Sequence, residues 1–184
     1  MDAMQAILAR KSTRSYKEDP IDEETLRAIL EAGMAAPVGS GAYDSLHLAV
    51  VQDKALFSQV NTAVSDMIFK MLGKRMDKSF GAPVMVFVSS KPAMVPGMEY
   101  ANAACVAENM AIAATGLGID SIVWAAASAA VAQSEDLLEK LAIPEGFTPL
   151  LCISLGYGAG NEKPRKHEIA VSFLHGEKDC VIRV

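Results

Sequence analysis

The sequence predicts one domain, residues 1–184, in which α-helices and β-strands share a core, and three observations predict it. Four short apolar runs, residues 46–51, 83–88, 119–124 and 150–155, have the length and composition of buried strands. The stretches between them carry the three-to-four-residue apolar spacing of helices. With 184 residues the chain can bury one sizeable core but is short for two, and 51% hydrophobic against 21% charged residues argues for a packed globule.

Each element has a local reason. Residues 3–9 bring Met4, Ile7 and Leu8 onto one helical face, and the chain then runs out into a basic, hydroxyl-rich stretch from Arg10 to Tyr16. Asp22 is placed to cap the next helix, with Ile21 before it and Leu26 at the fourth helical position forming a hydrophobic staple. That helix should reach about Ala35, with Pro37 just beyond it, and Gly39-Ser40-Gly41 forms a flexible loop before the first strand. Asp53 caps a helix to roughly Lys74, where Lys74 and Arg75 would complement the negative end of the helix dipole. Beyond the second strand, Pro92 and Pro96 mark a loop, and residues 100–115 read as a helix that is apolar almost all round and therefore central. Its alanines permit close backbone approach, and Gly116 or Gly118 supplies the left-handed residue that ends it. The third strand, a surface helix over residues 133–141 capped near Ser134, and the fourth strand complete the order. From Tyr157 onward the chain is mostly polar, with a terminal Cys180-Val181-Ile182 cluster, and is expected to cross to a partner subunit.

Composition excludes several classes. A net charge of -5 provides no global basic field, so nucleic-acid binding through phosphate neutralisation is not expected, and any anion site must be local. The first residues lack a secretory signal, and the most apolar region, 100–132, is broken by Asn102, Glu108, Asn109 and Asp120, so it is core and not a membrane span. Three widely spaced cysteines without a Cys-x-x-Cys pair fit a reducing compartment, making the cytoplasm the expected address. His47, His167 and His175 show no ligand spacing with Cys or carboxylates, so no metal site is expected. Cys105 and Cys152 lie in apolar segments, where thiols are usually inert, and Gly39-Ser40-Gly41 lacks the spacing of a nucleophile elbow.

Two basic clusters carry the chemical interest. In Arg10-Lys11-Ser12-Thr13-Arg14-Ser15-Tyr16, an extended chain points Arg10, Ser12 and Arg14 the same way, a pattern able to hold a phosphate through charge-assisted bonds. Taken alone, such a stretch is more often a solvated basic turn. Lys163-Pro164-Arg165-Lys166 is a second basic segment, stiffened by proline, that could close on the same phosphate from the other side. Gly156-Tyr157-Gly158-Ala159-Gly160 follows a strand, but Asn161-Glu162-Lys163-Pro164 prevents the helix a dinucleotide turn requires; Gly116-Leu117-Gly118 has Ser121 where the third glycine belongs. Both read as turns.

In order along the chain, the run 7–16, the helix ending at Ala36-Pro37, Gly81-Ala82-Pro83-Val84-Met85-Val86, the small-residue helix with Asn109 and Met110, Gly116-Leu117-Gly118-Ile119-Asp120, and Leu155-Gly156-Tyr157 before Lys163-Pro164-Arg165 resemble the nitroreductase family. The resemblance spans nearly the whole chain. It implies an α+β fold with a central mixed sheet flanked by helices, in an intertwined homodimer that exchanges C-terminal segments and holds FMN between its subunits. Carried over, it implies that Arg10, Lys11 and Ser12 hold the FMN phosphate and ribityl chain, that Arg14 approaches the pyrimidine edge, and that Lys163 and Arg165 complete the phosphate site. Pro37, Val38 and Gly39 would come from the partner, while backbone groups near Trp124, Ala125 and Ala126 would face the flavin ring.

The implied activity is hydride transfer from NAD(P)H through flavin N5 to a small electron-poor acceptor such as a nitroaromatic or quinone, in ping-pong order and without a catalytic side chain. Flavin or enone reduction, dehalogenation, or non-catalytic flavin binding are the alternatives on the same fold. The chain departs from the family after Ala36-Pro37, where Val38-Gly39-Ser40-Gly41-Ala42-Tyr43-Asp44-Ser45-Leu46 replaces serine-asparagine-glutamine-proline-tryptophan, and Ala125-Ala126 replaces glutamate-glycine.

Overall fold

Strand β2 (Val84–Ser90) is buried along its whole length, and the period-two alternation of its side chains divides the core into two layers. Met85 and Phe87 point into one layer, and Val84, Val86 and Val88 into the other. β2 lies within a four-stranded sheet of order β1-β2-β4-β3, with β1 (Leu46–Val51), β3 (Asp120–Trp124) and β4 (Thr148–Gly156). Every neighbouring pair is antiparallel; a parallel element comes from an isolated bridge between Ser12 and Ser121. The computed structural model describes residues 1–74, 80–173 and the backbone of 180–183.

Helices cover both faces, as an α+β class requires. Helix α2 (Glu23–Met34) and helix α4 (Met98–Gly116) cover the valine face; α3 (Lys54–Leu72), α5 (Ala125–Val131) and α6 (Glu135–Lys140) cover the Met85 and Phe87 face. The expected caps are present. Asp22 accepts from the Thr25 N–H at 2.8 Å, Asp53 from the Leu56 N–H at 2.7 Å, and Ser134 from the Leu137 N–H at 3.3 Å. Ile21 and Leu26 are both buried, as a staple demands. Helix α1 (Ala3–Ala9) starts with a reciprocal cap: Asp2 accepts from the Gln5 N–H at 2.8 Å, and the Gln5 side chain accepts from the Asp2 N–H at 3.0 Å.

Several local expectations change. Helix α3 stops at Leu72, with Gly73 left-handed at φ 67°, so Lys70 lies in the last turn and Lys74 follows it; Arg75 lies outside the described residues. Gly118, at φ 79°, takes the left-handed conformation after α4, while Gly116 remains helical. The 39–41 segment is a 3-10 turn, not a loose loop, because the Gly39 N–H donates to Asn102 Oδ1 of α4 at 2.9 Å. Helix α5 was not expected. Its Ala-Ala-Ala-Ser-Ala-Ala-Val sequence has high helix propensity but no amphipathic period, and no side chain caps its start.

Two surfaces remain open. On α1 only Ala6 is buried, against α4, and Met4, Ile7 and Leu8 are exposed. Beyond β4, strands β5 (Ala170–Phe173) and β6 (Cys180–Arg183) pair with one another as a two-stranded sheet, and among the described residues neither pairs with the main one. The side chains of Cys180, Val181 and Ile182 lie outside the described residues.

Gly156, at the end of β4, lies in close contact with its neighbours. A Cβ there would fall 2.5 Å from Pro83 Cδ and 2.9 Å from Tyr16 Cδ1, both parts of rigid rings. Gly156→Ala is therefore expected to destabilise the fold by about 1–3 kcal/mol through overpacking, read as a lowered urea midpoint at unchanged m-value.

Candidate functional site

The site is built by the backbone. After α1, residues 10–16 run extended and are held between the β3 edge and the turn that follows β4. The Thr13 N–H donates to Ser121 O at 3.0 Å beside the Ser12–Ser121 bridge, and Tyr16 bridges Gly158 in the antiparallel sense. The Lys17 N–H donates to Tyr157 O at 2.8 Å, and the Ala159 N–H donates to Ser15 O at 2.8 Å. The glycines after β4 thus form a turn that pairs with the N-terminal segment. A Cβ on Gly158 would overlap the Asp120 carboxylate, so this close approach requires glycine. Thr13 and Tyr16 are buried beneath the segment, and burial, reinforced by the Asp120 and Glu162 carboxylates, pushes the Tyr16 phenol well above its usual range.

This stitching brings the two basic clusters together. Arg10, Lys11, Ser12 and Arg14 from one end of the chain and Lys163 and Arg165 from the other line a single cavity of about 210 Å³, together with Glu162 and His167. Other predicted residues lie outside it. Pro37 and Val38 lead into the 39–41 turn, whose Gly39 N–H is tied to Asn102. Trp124, Ala125 and Ala126 sit at the β3–α5 junction, three residues, or about 10 Å, along the strand from Ser121. Trp124 is directed into the core, where its Nε1–H donates to Ser154 Oγ at 2.9 Å, leaving main-chain groups to act at that junction.

The cations are not equivalent. Lys11 Nζ is 2.7 Å from Asp120 Oδ1 in a mostly buried pair, so Lys11 lines the cavity with its charge already matched. Arg10 Nε is 3.7 Å from Glu108 Oε1, and Arg14 Nη1 donates to Ser12 O at 3.2 Å. Among the described residues, Arg14, Lys163 and Arg165 form no ion pair, so the cavity keeps a positive excess suited to a multiply charged anion. Glu162 enters this field: its Oε1 accepts the Arg14 N–H at 3.1 Å, and its Oε2 is buried without a partner. Asp120 and Glu162 carried no site signal in the sequence. Asp120 is 109 residues from Lys11, and Glu162 read there only as part of a helix-stopping run.

Elsewhere, Cys152 is fully buried and burial pushes its thiol up, while Cys105 is half-buried. A wider cleft of about 800 Å³ opens between α3 and residues 18–21 and 81–84. Lys54 is its one cation among the described residues and lies 3.5 Å from Glu18, so this cleft lacks an anion cradle.

A model of the nitroreductase family matches residues 7–157. A protein of Archaeoglobus fulgidus, provisionally named an NADH dehydrogenase/NAD(P)H nitroreductase, is 29% identical over 157 residues, covering 85% of each chain. A nitroreductase from Bacteroides fragilis, crystallised with bound FMN, superposes with a TM-score of 0.80 at 28% identity, covering 92% of this chain and 95% of that one. A nitroreductase with bound FMN from Desulfitobacterium hafniense reaches 0.79 at 25% identity, covering 91% and 95%.

The Lys11–Asp120 pair fastens the N-terminal segment to the sheet edge, and removing one partner strands the other in a mostly buried position. Lys11→Met and Asp120→Asn are each expected to cost about 1–2 kcal/mol, between the values for surface and buried pairs. Together they should cost clearly less than the sum. Denaturant unfolding of the four proteins as a double-mutant cycle measures the coupling, and strict additivity would show the pair to be energetically idle.

Proposed function

The chain belongs to the nitroreductase family, and from that premise we propose that it is an FMN-dependent oxidoreductase that passes hydride from NAD(P)H to a small electron-poor acceptor such as a nitroaromatic or quinone. The observation that carries this reading is the convergence of residues 10–14 and 163–165 on one cavity with excess positive charge. A phosphate monoester carries nearly two negative charges at neutral pH and presents oxygens that arginine forks and hydroxyls match. The donor set present fits such a group.

In this reading Arg10, Ser12, Lys163 and Arg165 hold the phosphate. Lys11 contributes through the field and through its tie to Asp120, since its ammonium is already paired. The Arg14 guanidinium, bonded here to Ser12 O, is assigned to the pyrimidine edge, where it would favour the more negative, reduced ring. The main chain at Trp124, Ala125 and Ala126 supplies donors near the ring, because Ser154 holds the Trp124 indole in the core. FMN held there would supply the two-electron redox chemistry that links the nicotinamide to the acceptor. No side-chain acid of this chain is assigned to the transfer.

The functional unit is proposed to be a homodimer. Met4, Ile7 and Leu8 on α1, together with Tyr100 and Leu117 at the ends of α4, leave apolar surface uncovered on one protomer. A partner covering that surface would bring its Pro37, Val38 and Gly39 to the flavin and exchange the C-terminal segment that leaves the main sheet after Gly156. No helix among the described residues is long and apolar enough to cross a membrane. The cytoplasm is the proposed location.

Purified protein should be yellow, release FMN on heating, and consume NADH or NADPH steadily once a quinone or nitroaromatic is added; colourless protein that gains no flavin on incubation would remove the assignment. Arg165→Ala and Arg10→Ala are each expected to raise the Kd for FMN about tenfold or more by deleting a charge-assisted partner. Fluorescence titration of the flavin-stripped proteins measures this, and unchanged affinity in both variants would displace the phosphate from this cavity.

A further inference from the structure

Resting on the FMN reading above, we propose that Glu162 is an internal competitor for the phosphate cradle: its carboxylate stands on the cavity wall, holds the Arg14 N–H, and gives way when the phosphate of FMN enters. On this view the affinity for FMN is set by an exchange of one anion for another, and not by the cations alone.

The geometry is specific to Glu162. Among the described residues, it is the one carboxylate that lines the cavity, and it shares that lining with Arg14, Lys163 and Arg165, none of which has an ion-pair partner among them. The nearby acids are engaged elsewhere, Asp120 with Lys11 and Glu108 with Arg10. Glu162 folds back over its own loop because residue 160 is glycine; a Cβ at Gly160 would overlap the carboxylate carbon and both its oxygens. One oxygen accepts the Arg14 N–H at 3.1 Å, using a main-chain donor that a phosphate oxygen could take over. The other oxygen is buried without a hydrogen-bond partner among the described residues, so leaving this position breaks no second bond.

A dianionic phosphate entering this cavity of about 210 Å³ would meet the Glu162 carboxylate on its wall, and like charges at that range repel strongly. The loop carrying Glu162 is otherwise exposed on either side, so the side chain can leave to solvent. Riboflavin has no phosphate and does not require the exchange. Glu162 therefore weakens FMN binding selectively, reducing the preference for FMN over riboflavin that the cations would otherwise impose.

The test is flavin binding to the stripped protein, by fluorescence titration with FMN and with riboflavin. Glu162→Gln keeps the shape and the acceptor for the Arg14 N–H but removes the charge. It should lower the FMN Kd about tenfold and leave the riboflavin Kd within about twofold, with the FMN difference narrowing at molar salt. Glu162→Asp, one methylene shorter, should shift FMN binding in the same direction and serves if the Gln variant does not fold. A folded variant whose FMN Kd equals or exceeds that of the parent overturns the proposal, as does failure of both variants to fold, which would make Glu162 a structural support. Parent protein that binds no FMN overturns the cofactor reading itself; parent protein that binds FMN as tightly as Glu162→Gln overturns this inference alone.

Discussion

The pairing of residues 10–16 with the β3 edge and with the turn after β4 is the constraint on which the candidate site depends. These are main-chain hydrogen bonds, from Thr13 to Ser121 and between Ser15–Lys17 and Tyr157–Ala159, so they fix the path of the segment whatever its side chains do. Once the path is fixed, Arg10, Ser12 and Arg14 lie beside the strand, and the chain leaving β4 must pass close by with Lys163 and Arg165. The cationic cavity is thus a consequence of sheet topology, not of attraction between the two basic segments, which repel.

That repulsion has to be contained, and the structure contains it with carboxylates set at different distances. Asp120 neutralises Lys11 in a mostly buried pair that also closes against Gly158, fastening the segment to β3. Glu108, on α4, offsets Arg10 from outside at 3.7 Å. Glu162 stands on the cavity wall with a single hydrogen bond to the Arg14 N–H. The first pair is built to stay and the last contact to be given up, a difference legible in the partners each oxygen has.

The sheet beneath the site supplies rigidity. β2 is buried on both faces, and the Trp124 indole is locked to Ser154 across the β3–β4 register and against the Phe80 ring at 5.8 Å. The junction where β3 becomes α5 is thereby held on a packed platform, and the groups it offers outward are main-chain ones. In the proposed flavin site, a junction that offers backbone donors would tolerate Ala125 and Ala126 in place of glutamate and glycine, because the peptide groups remain. The change of sequence after Pro37 is similarly contained, the turn being tied to α4 by Asn102.

By itself the sequence determined the four strands of the main sheet, most of the helices and the family. Strand runs of the right length, the caps Asp22, Asp53 and Ser134, the Ile21–Leu26 staple and the two basic clusters are all written in neighbouring residues, since caps and periodicity are local physics. Helix α5 escaped because alanine throughout leaves no period to read. Tertiary structure alone decided that Lys11 is matched by Asp120, that Glu162 joins the cavity wall, that the 39–41 turn is anchored to α4, and that Trp124 faces the core. Each of these depends on groups far apart in the chain meeting through the sheet, and the spacing of residues along a sequence holds no distance between strands that are not neighbours in it.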